Sequence, residues 1–486
     1  MGGLLIAGTS SDAGKSLLTA GLCRALARRG VDVVPYKAQN MSNNSMVIEG
    51  GEIGRAQWLQ ARAARVEPSV AMNPVLLKPS TDRRSHVVLL GQPHGVLEAG
   101  EYAHGRTALV RAAWESYEKL AADHELVVCE GAGSPAEINL RRGDYVNMGL
   151  ARRFGLPVAL VGDIDRGGML ASVYGTWGLL DHGDRAQLAG YLVNKFRGDR
   201  AVLEPGLETL TSRTGLDCLG VVPWLEGVWL DSEDTLVVSP TDTRRPDPRT
   251  ALSVAVVKFP RISNANDIDA IAVEPGVDLV VTGRPDICAV ADLLILPGSR
   301  STLGDLAWLR FSGLADVIEE RARSGAPVLG ICGGYQMLGR IVSDPHGVEA
   351  DPGTESLGLG VLPVETAFRT EKTLALPHGR WEGHEVDGYE IHHGVAELEE
   401  GATPFLDGAR RGWVFGTMWH GTMENDDFRR AFLSLVADQS GSGWQPEAKA
   451  PGFAARREAM IGSLSDAIEN YAPDLLRLAL KQVSRG

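Results

Sequence analysis

Short runs of aliphatic residues, each followed or preceded by a stretch of helical period, recur from the start of the chain to about Pro223: GLLIAGT, VDVVPYK, ELVVCEG, LPVALVGD, QLAGYLVNKF and LDCLGVVP. Aliphatic strands alternating with helices predict a mostly parallel sheet covered by helices on both faces, a doubly wound α/β domain. The rhythm breaks at residues 239–250, SPTDTRRPDPRT, which carry three prolines and no apolar anchor, and then restarts with LSVAVVKF, VDLVVT, ADLLILPGS, APVLGICGG and WVFGTMWHG. The expected layout is therefore an α/β domain over 1–238, a linker over 239–250 and a second α/β domain over 251–486. The second domain is expected to end in a helical segment after Trp444, whose Leu464, Ile468, Leu475, Leu476, Leu478 and Leu480 are spaced for packing.

With 486 residues and 44% hydrophobic side chains the chain can bury more than one core. Its 48 Lys+Arg against 62 Asp+Glu give a net charge of −14 without a basic block, which disfavours nucleic acid and anionic membrane as partners. There is no apolar run of spanning length, and the first residues enter a strand without a basic leader, so a cytoplasmic location is expected. Five scattered cysteines without a CxxC pair argue against a disulfide framework or a zinc knuckle.

The turn after the first strand reads Gly8-Thr9-Ser10-Ser11-Asp12-Ala13-Gly14-Lys15-Ser16. Glycines let consecutive backbone N–H groups face a phosphate, the helix N-terminus and Lys15 add positive charge, and Ser16 can ligate Mg²⁺. The spacing is one residue longer than the standard phosphate loop. Glu130, ending the strand ELVVCE, is the expected acidic partner of Ser16 at the metal, with Asp163 and Asp165 as weaker candidates. The long loop and the Glu-Gly-Ala-Gly element resemble the dethiobiotin synthetase-like branch of phosphate-loop proteins, in which ATP activates a carboxylate. By that resemblance Asn194 contacts the adenine.

Gly330-Ile331-Cys332-Gly333-Gly334 lies between a strand and a helical run, the pattern of a nucleophile elbow. The helix N-terminus favours the thiolate of Cys332. His420, at a later strand exit, is the expected general base. The pair resembles the class I glutamine amidotransferase domain, whose usual Glu two positions after the histidine is replaced here by Thr422. Either the site works as a dyad or Glu424 takes that place. By the same resemblance the loop Leu296–Thr302 donates one oxyanion N–H, assigned to Gly298, and Gly333 donates the other. His392 and His393 are adjacent strand residues facing opposite sides, a poor metal pair.

A carboxylate-activating ATP domain joined to a glutaminase implies a glutamine-dependent amide synthetase. Tyr36-Lys37-Ala38-Gln39-Asn40-Met41-Ser42-Asn43-Asn44-Ser45, Met72–Pro79, GDIDRGG, NKFRGD, PGSRST and GYEIHHG, with the domain order, resemble the cobyric acid synthase family over nearly the whole chain. That resemblance implies amidation of the b, d, e and g carboxylates of adenosylcobyrinic acid a,c-diamide, consuming ATP with Mg²⁺ and glutamine, with a corrinoid as small-molecule partner and no obligatory protein partner. Gln39, Asn40, Ser42, Asn43 and Asn44 offer donors and acceptors suited to such a substrate. The rival readings are the sister enzyme that amidates the a and c carboxylates, and a nucleotide-switched binding protein of the chromosome-partitioning type with a degenerate glutaminase domain.

Overall fold

The computed structural model describes residues 2–79, 84–98, 106–228, 252–400 and 402–483. The linker expected over 239–250 lies outside these residues. The chain divides into two compact units, one running to Val228 and resuming at Arg457, the other ending at Arg456.

The first unit is built on a six-stranded sheet in the order Cys218–Pro223, Leu188–Phe196, Val158–Asp163, Gly2–Gly8, Leu126–Glu130, Val33–Tyr36, with every neighbouring pair parallel. All seven residues of Gly2–Gly8 are buried, as an aliphatic run without alternation requires when both sheet faces are covered. The chain places its next two strands on one side of Gly2–Gly8 and the three after them on the other. The carboxyl end of this strand is thus the topological switch point, where open α/β sheets hold their ligands.

The Asn-rich stretch leaves this sheet. Gln39–Met41 pairs in parallel with Val75–Pro79, and Arg84–Leu89 and Gln92–Glu98 add antiparallel strands. Ser45–Ile48 and Gly51–Gly54 form a separate hairpin.

The last helices differ from the layout expected of them, because they belong to the first unit and not the second. Pro473–Val483 packs against Gly2–Gly8 and Cys218–Pro223. The approach is backbone to backbone: a Cβ at Gly21 would sit 2.7 Å from the Leu464 carbonyl oxygen, and one at Gly220 2.5 Å from that of Tyr471. Arg28 and Arg29 pair with Asp466 and Glu469 at the rim of this contact.

The second unit has a seven-stranded sheet in the order Val277–Thr282, Leu252–Val257, Leu293–Leu296, Val328–Ile331, Val414–Thr417, Gly408–Arg411, Thr403–Phe405. The first five strands are mutually parallel and the last two add on antiparallel. A four-stranded sheet of Thr354–Leu357, Ile341–Asp344, Val364–Ala375 and Glu390–Leu398 accompanies it. All five cysteines are free thiols. Burial raises the pKa of Cys23, Cys129 and Cys218, so these three are held as neutral thiols.

Candidate active sites

In the first unit the loop after Gly2–Gly8 closes where the sequence places it. Thr9 N–H donates to the Val161 carbonyl at 2.9 Å, and Ser10, Ser11 and Asp12 stand exposed at the lip. Asp12 and Gly14 hold φ of 58° and 92°, the left-handed conformations that turn consecutive N–H groups inward. Lys15 folds back over the loop and its Nζ donates to the Ser10 carbonyl at 3.0 Å.

Asn194 sits beneath the loop. Its Nδ2 donates to the Ala13 carbonyl at 2.8 Å, and a Cβ on Gly14 would lie 2.2 Å from that nitrogen, so only glycine leaves room for it. Lys195 adds a second strap, donating to the Asp12 carbonyl at 2.6 Å and to Asp163 at 2.8 Å. Asp163 is thereby paired away from Ser16, and Asp165 faces Arg197 at 3.4 Å.

Ser16 and Glu130 do meet: Ser16 Oγ donates to Glu130 Oε1 at 2.8 Å. Two residues without a role in the sequence reading join them. Lys37 Nζ lies 2.9 Å from the same oxygen, and Gln60 Nε2 donates to Glu130 Oε2 and, at 3.2 Å, to the Ser16 carbonyl. Burial pushes the Glu130 carboxyl up, but Lys37, Gln60 and Ser16 more than offset this and hold it ionised below the usual carboxylate range. Gln60 Oε1 is buried without a hydrogen-bond partner. A hydroxyl, an ionised carboxylate and an orphaned amide oxygen fit a hard divalent cation. Among the described residues no cluster of three or more His, Cys, Asp or Glu side chains offers another metal site.

The polar segment expected to meet substrate is divided by burial. Asn40, Ser42 and Asn44 are buried, with Asn40 Nδ2 on Gln57 Oε1 at 2.9 Å and Ser42 Oγ accepting from Asn44 N–H at 3.0 Å. They shape the segment from within. Gln39 and Asn43 are half-buried; Gln39 accepts from the Tyr145 hydroxyl at 2.5 Å and Asn43 donates to the Pro79 carbonyl at 3.2 Å.

In the second unit Cys332 joins the strand Val328–Ile331 to the helix Gly333–Leu338 with φ 49° and ψ −109°. This strained, non-glycine conformation is the elbow itself. Its neighbours must be glycine for lack of space: a Cβ on Gly330 would lie 2.6 Å from Leu338, one on Gly333 2.8 Å from Ser299 N, and one on Gly334 2.1 Å from the Leu296 carbonyl oxygen. Gly333 N–H, at the first helical position, has no intrahelical acceptor and is available to an oxyanion.

His420 is 1% exposed. Its Nδ1 bonds Asp267 Oδ2 at 2.6 Å, and the other carboxylate oxygen accepts from Gly421 N–H at 2.8 Å. The Nε2 is buried without a hydrogen-bond partner. The Tyr389 ring stacks on the imidazole with centroids 5.2 Å apart, and the two backbones form an antiparallel bridge. Burial lowers the His420 pKa, but the charges of Asp267 and Cys332 outweigh it and raise the value to about 10. The orienting acid is therefore Asp267, and neither Thr422 nor Glu424, which lie in a 3₁₀ turn beyond the histidine. The buried Arg429 ties the two halves of this pair together, donating to Glu274 at 2.8 Å and to the Met423 carbonyl at 2.7 Å. His392 is half-buried with its Nε2 3.9 Å from Glu390 Oε1, and Nδ1 of His393 meets the Arg369 carbonyl at 3.1 Å, so the two imidazoles take separate partners.

Replacement of Asp267 by Asn should lower the glutaminase kcat by about 10²- to 10⁴-fold, because the ring loses both its fixed tautomer and its compensating charge. Two charges raise the His420 pKa to about 10, that of Cys332 and, the larger, that of Asp267. Without that charge the ring deprotonates earlier, so the alkaline limb of the rate moves to lower pH. Initial rates of glutamate release across neutral and alkaline pH check both effects.

Family models of known proteins match both parts of the chain. A model described as the CobQ/CobB/MinD/ParA nucleotide binding domain matches residues 4–237, and one described as the CobB/CobQ-like glutamine amidotransferase domain matches 253–428. A protein of Cutibacterium acnes named cobyric acid synthase is 64% identical over 474 residues, covering 97% of this chain and 98% of that one. One of the same name from Mycolicibacterium gilvum is 55% identical over 476 residues, covering 97% and 95%.

Proposed function

The chain belongs to the cobyric acid synthase family, and from that premise we propose that it amidates the b, d, e and g carboxylates of adenosylcobyrinic acid a,c-diamide, with glutamine as nitrogen donor and ATP as activator. The observation that carries the proposal is the Asp267–His420 contact of 2.6 Å beside the strained Cys332, in one chain with a complete phosphate loop.

In the second unit the Cys332 thiolate attacks the side-chain amide carbon of glutamine, and the oxygen takes negative charge facing Gly333 N–H. His420, protonated on Nε2, gives that proton to the departing ammonia, and a thioester remains. The same nitrogen then takes a proton from the water that hydrolyses the thioester to glutamate. Asp267 keeps the ring oriented through both transfers.

In the first unit a corrin carboxylate oxygen attacks the γ-phosphorus of ATP and ADP leaves. The acyl phosphate so formed is open to ammonia, which displaces phosphate and leaves the amide. The loop N–H groups and Lys15 stabilise the phosphoryl charge, while Lys37 stays with Glu130. Ser16 and Glu130 would hold Mg²⁺, which neutralises phosphate charge when bound. Asn194 holds the loop and borders the nucleotide base, and Gln39 and Asn43 meet the corrinoid amides. Among the described residues no helix is long and apolar enough to cross a membrane.

Mass spectrometry of cobyrinic acid a,c-diamide incubated with the protein, MgATP and glutamine tests this. Stepwise mass loss of one unit per carboxylate, stopping at four amides, is expected. Glutamine hydrolysis with no change in the corrinoid would keep the amidotransferase but reject this acceptor.

A further inference from the structure

The loop Pro297–Thr302 leaves the strand Leu293–Leu296 and passes beside the elbow. Ile262 and Ser299 form an isolated antiparallel bridge, in which Ser263 N–H donates to the Gly298 carbonyl at 2.9 Å and Arg300 N–H to that of Arg261 at 2.8 Å. A residue between two such bonds turns its own N–H to the opposite side of the chain. For Ser299 that side is the elbow, since its nitrogen lies 2.8 Å from the place a Cβ on Gly333 would take. Gly298 has a different part. Its carbonyl is engaged by Ser263, and a Cβ there would come within 3.0 Å of Cε1 of His420, so the missing side chain makes room for the imidazole.

The Ser299 side chain is anchored at both ends of its hydroxyl. Oγ donates to Asp305 Oδ2 at 2.6 Å and accepts from Ser301 N–H at 3.0 Å. Asp305 lies in the first turn of the helix Thr302–Phe311, 2% exposed, and its own N–H donates to the Ser301 carbonyl at 2.8 Å. Burying a carboxyl there is costly, and it does raise the Asp305 pKa to about 6 against the opposing effects of Ser299 and Arg261.

We infer that the loop's oxyanion donor is the Ser299 N–H, in place of the Gly298 N–H expected from the sequence, and that Asp305 is its positioning residue, acting through the Ser299 hydroxyl. The inference rests on the glutaminase reading above. A peptide between Gly298 and Ser299 that rotates withdraws the N–H from the elbow, and the anchored hydroxyl resists that rotation.

The test compares Asp305→Ala, Ser299→Ala and the double variant in the full chain, with Asp305→Asn replacing the alanine variant should it fail to fold. Each single change should lower the glutaminase kcat about 10- to 100-fold with KM for glutamine nearly unchanged, less than the roughly 10²- to 10³-fold cost of removing an oxyanion donor, because the N–H is displaced and not removed. The double variant should lose no more than the worse single one, because both changes remove one interaction. Alkylation of Cys332 by iodoacetamide, which develops no oxyanion, should keep its wild-type rate, and ammonium-dependent amidation should persist as proof of fold. Multiplying losses, an unchanged kcat, or alkylation slowed in step with kcat would each overturn the inference. A wild-type protein that releases no glutamate would instead overturn the glutaminase reading itself.

Discussion

Cys332→Ala should make no amide from glutamine and yet amidate the corrinoid with ammonium at the wild-type rate. The loss with glutamine should reach about 10⁴- to 10⁶-fold, because without a nucleophile the remaining oxyanion and binding contacts act on an amide that nothing attacks. The fold has no reason to suffer. The elbow is enforced by its neighbours, where the Leu296 carbonyl, Ser299 and Tyr335 exclude any side chain from Gly334, Gly333 and Gly330. Alanine meets the same positive φ as cysteine and leaves out only the sulfur. His420 keeps its bond to Asp267 at 2.6 Å. What disappears is the thioester, and with it the only route by which the amide nitrogen is freed. Ammonium supplied from outside bypasses that step. Corrinoid masses recorded with each nitrogen source decide the matter: parallel loss with both would mean that Cys332 serves the synthetase chemistry as well.

The parts of this molecule that were legible in its sequence are those in which local sequence dictates local geometry. Gly8–Ser16 after an aliphatic strand, and Gly330–Gly334 before a helical run, have no other comfortable backbone conformation, and both turns stand where they were expected. The Ser16–Glu130 contact was legible for a related reason, since parallel strands deliver their carboxyl ends to one edge.

Asp267 was not legible, because it acts 153 positions before His420. It reaches the histidine only through the order of strands, which sets Leu252–Val257 beside Leu293–Leu296 and leaves the turn after it free to cross the sheet edge. A search confined to residues following the histidine finds only Thr422 and Glu424. The signal available was the run Asn264-Ala265-Asn266-Asp267 near the exit of the domain's first strand, an acid on the edge that carries the elbow. The C-terminal helices misled for a different reason. Their apolar stripe announces burial but names no partner, and the glycines that receive them, Gly21 and Gly220, are ordinary glycines until the backbone of residues 464 and 471 is laid against them. The Asn-rich segment likewise advertised polarity without saying which side faces inward. Burial of Asn40, Ser42 and Asn44 leaves Gln39 and Asn43 as the half-buried polar residues of this set.

Lys15→Ala should stop amidation from glutamine and ammonium alike. Lys15 is the one cation that the loop itself carries to the phosphates, and it is set in place beforehand: the side chain is buried, with Nζ on the Ser10 carbonyl at 3.0 Å. A cation held in position needs no rearrangement as charge builds on the transferring phosphoryl group, and loss of one such donor costs about 10²- to 10³-fold in rate. The other ammonium in the site does not make good the loss. Lys37 is bound to Glu130 at 2.9 Å, and drawing it toward the phosphates would leave a buried carboxylate unpaired, at a cost of about 3–5 kcal/mol. The effect should therefore fall on phosphoryl transfer, before any nitrogen source matters. Cys332 should still be alkylated at its wild-type rate, because the elbow and its Asp267–His420 support lie in the other unit. Product masses with each nitrogen source, read beside that alkylation rate, separate the two chemistries: synthesis with ammonium surviving in Lys15→Ala would take the phosphate loop out of the reaction, whereas its loss with an intact thiol rate places carboxylate activation, and only that, at the end of the first strand.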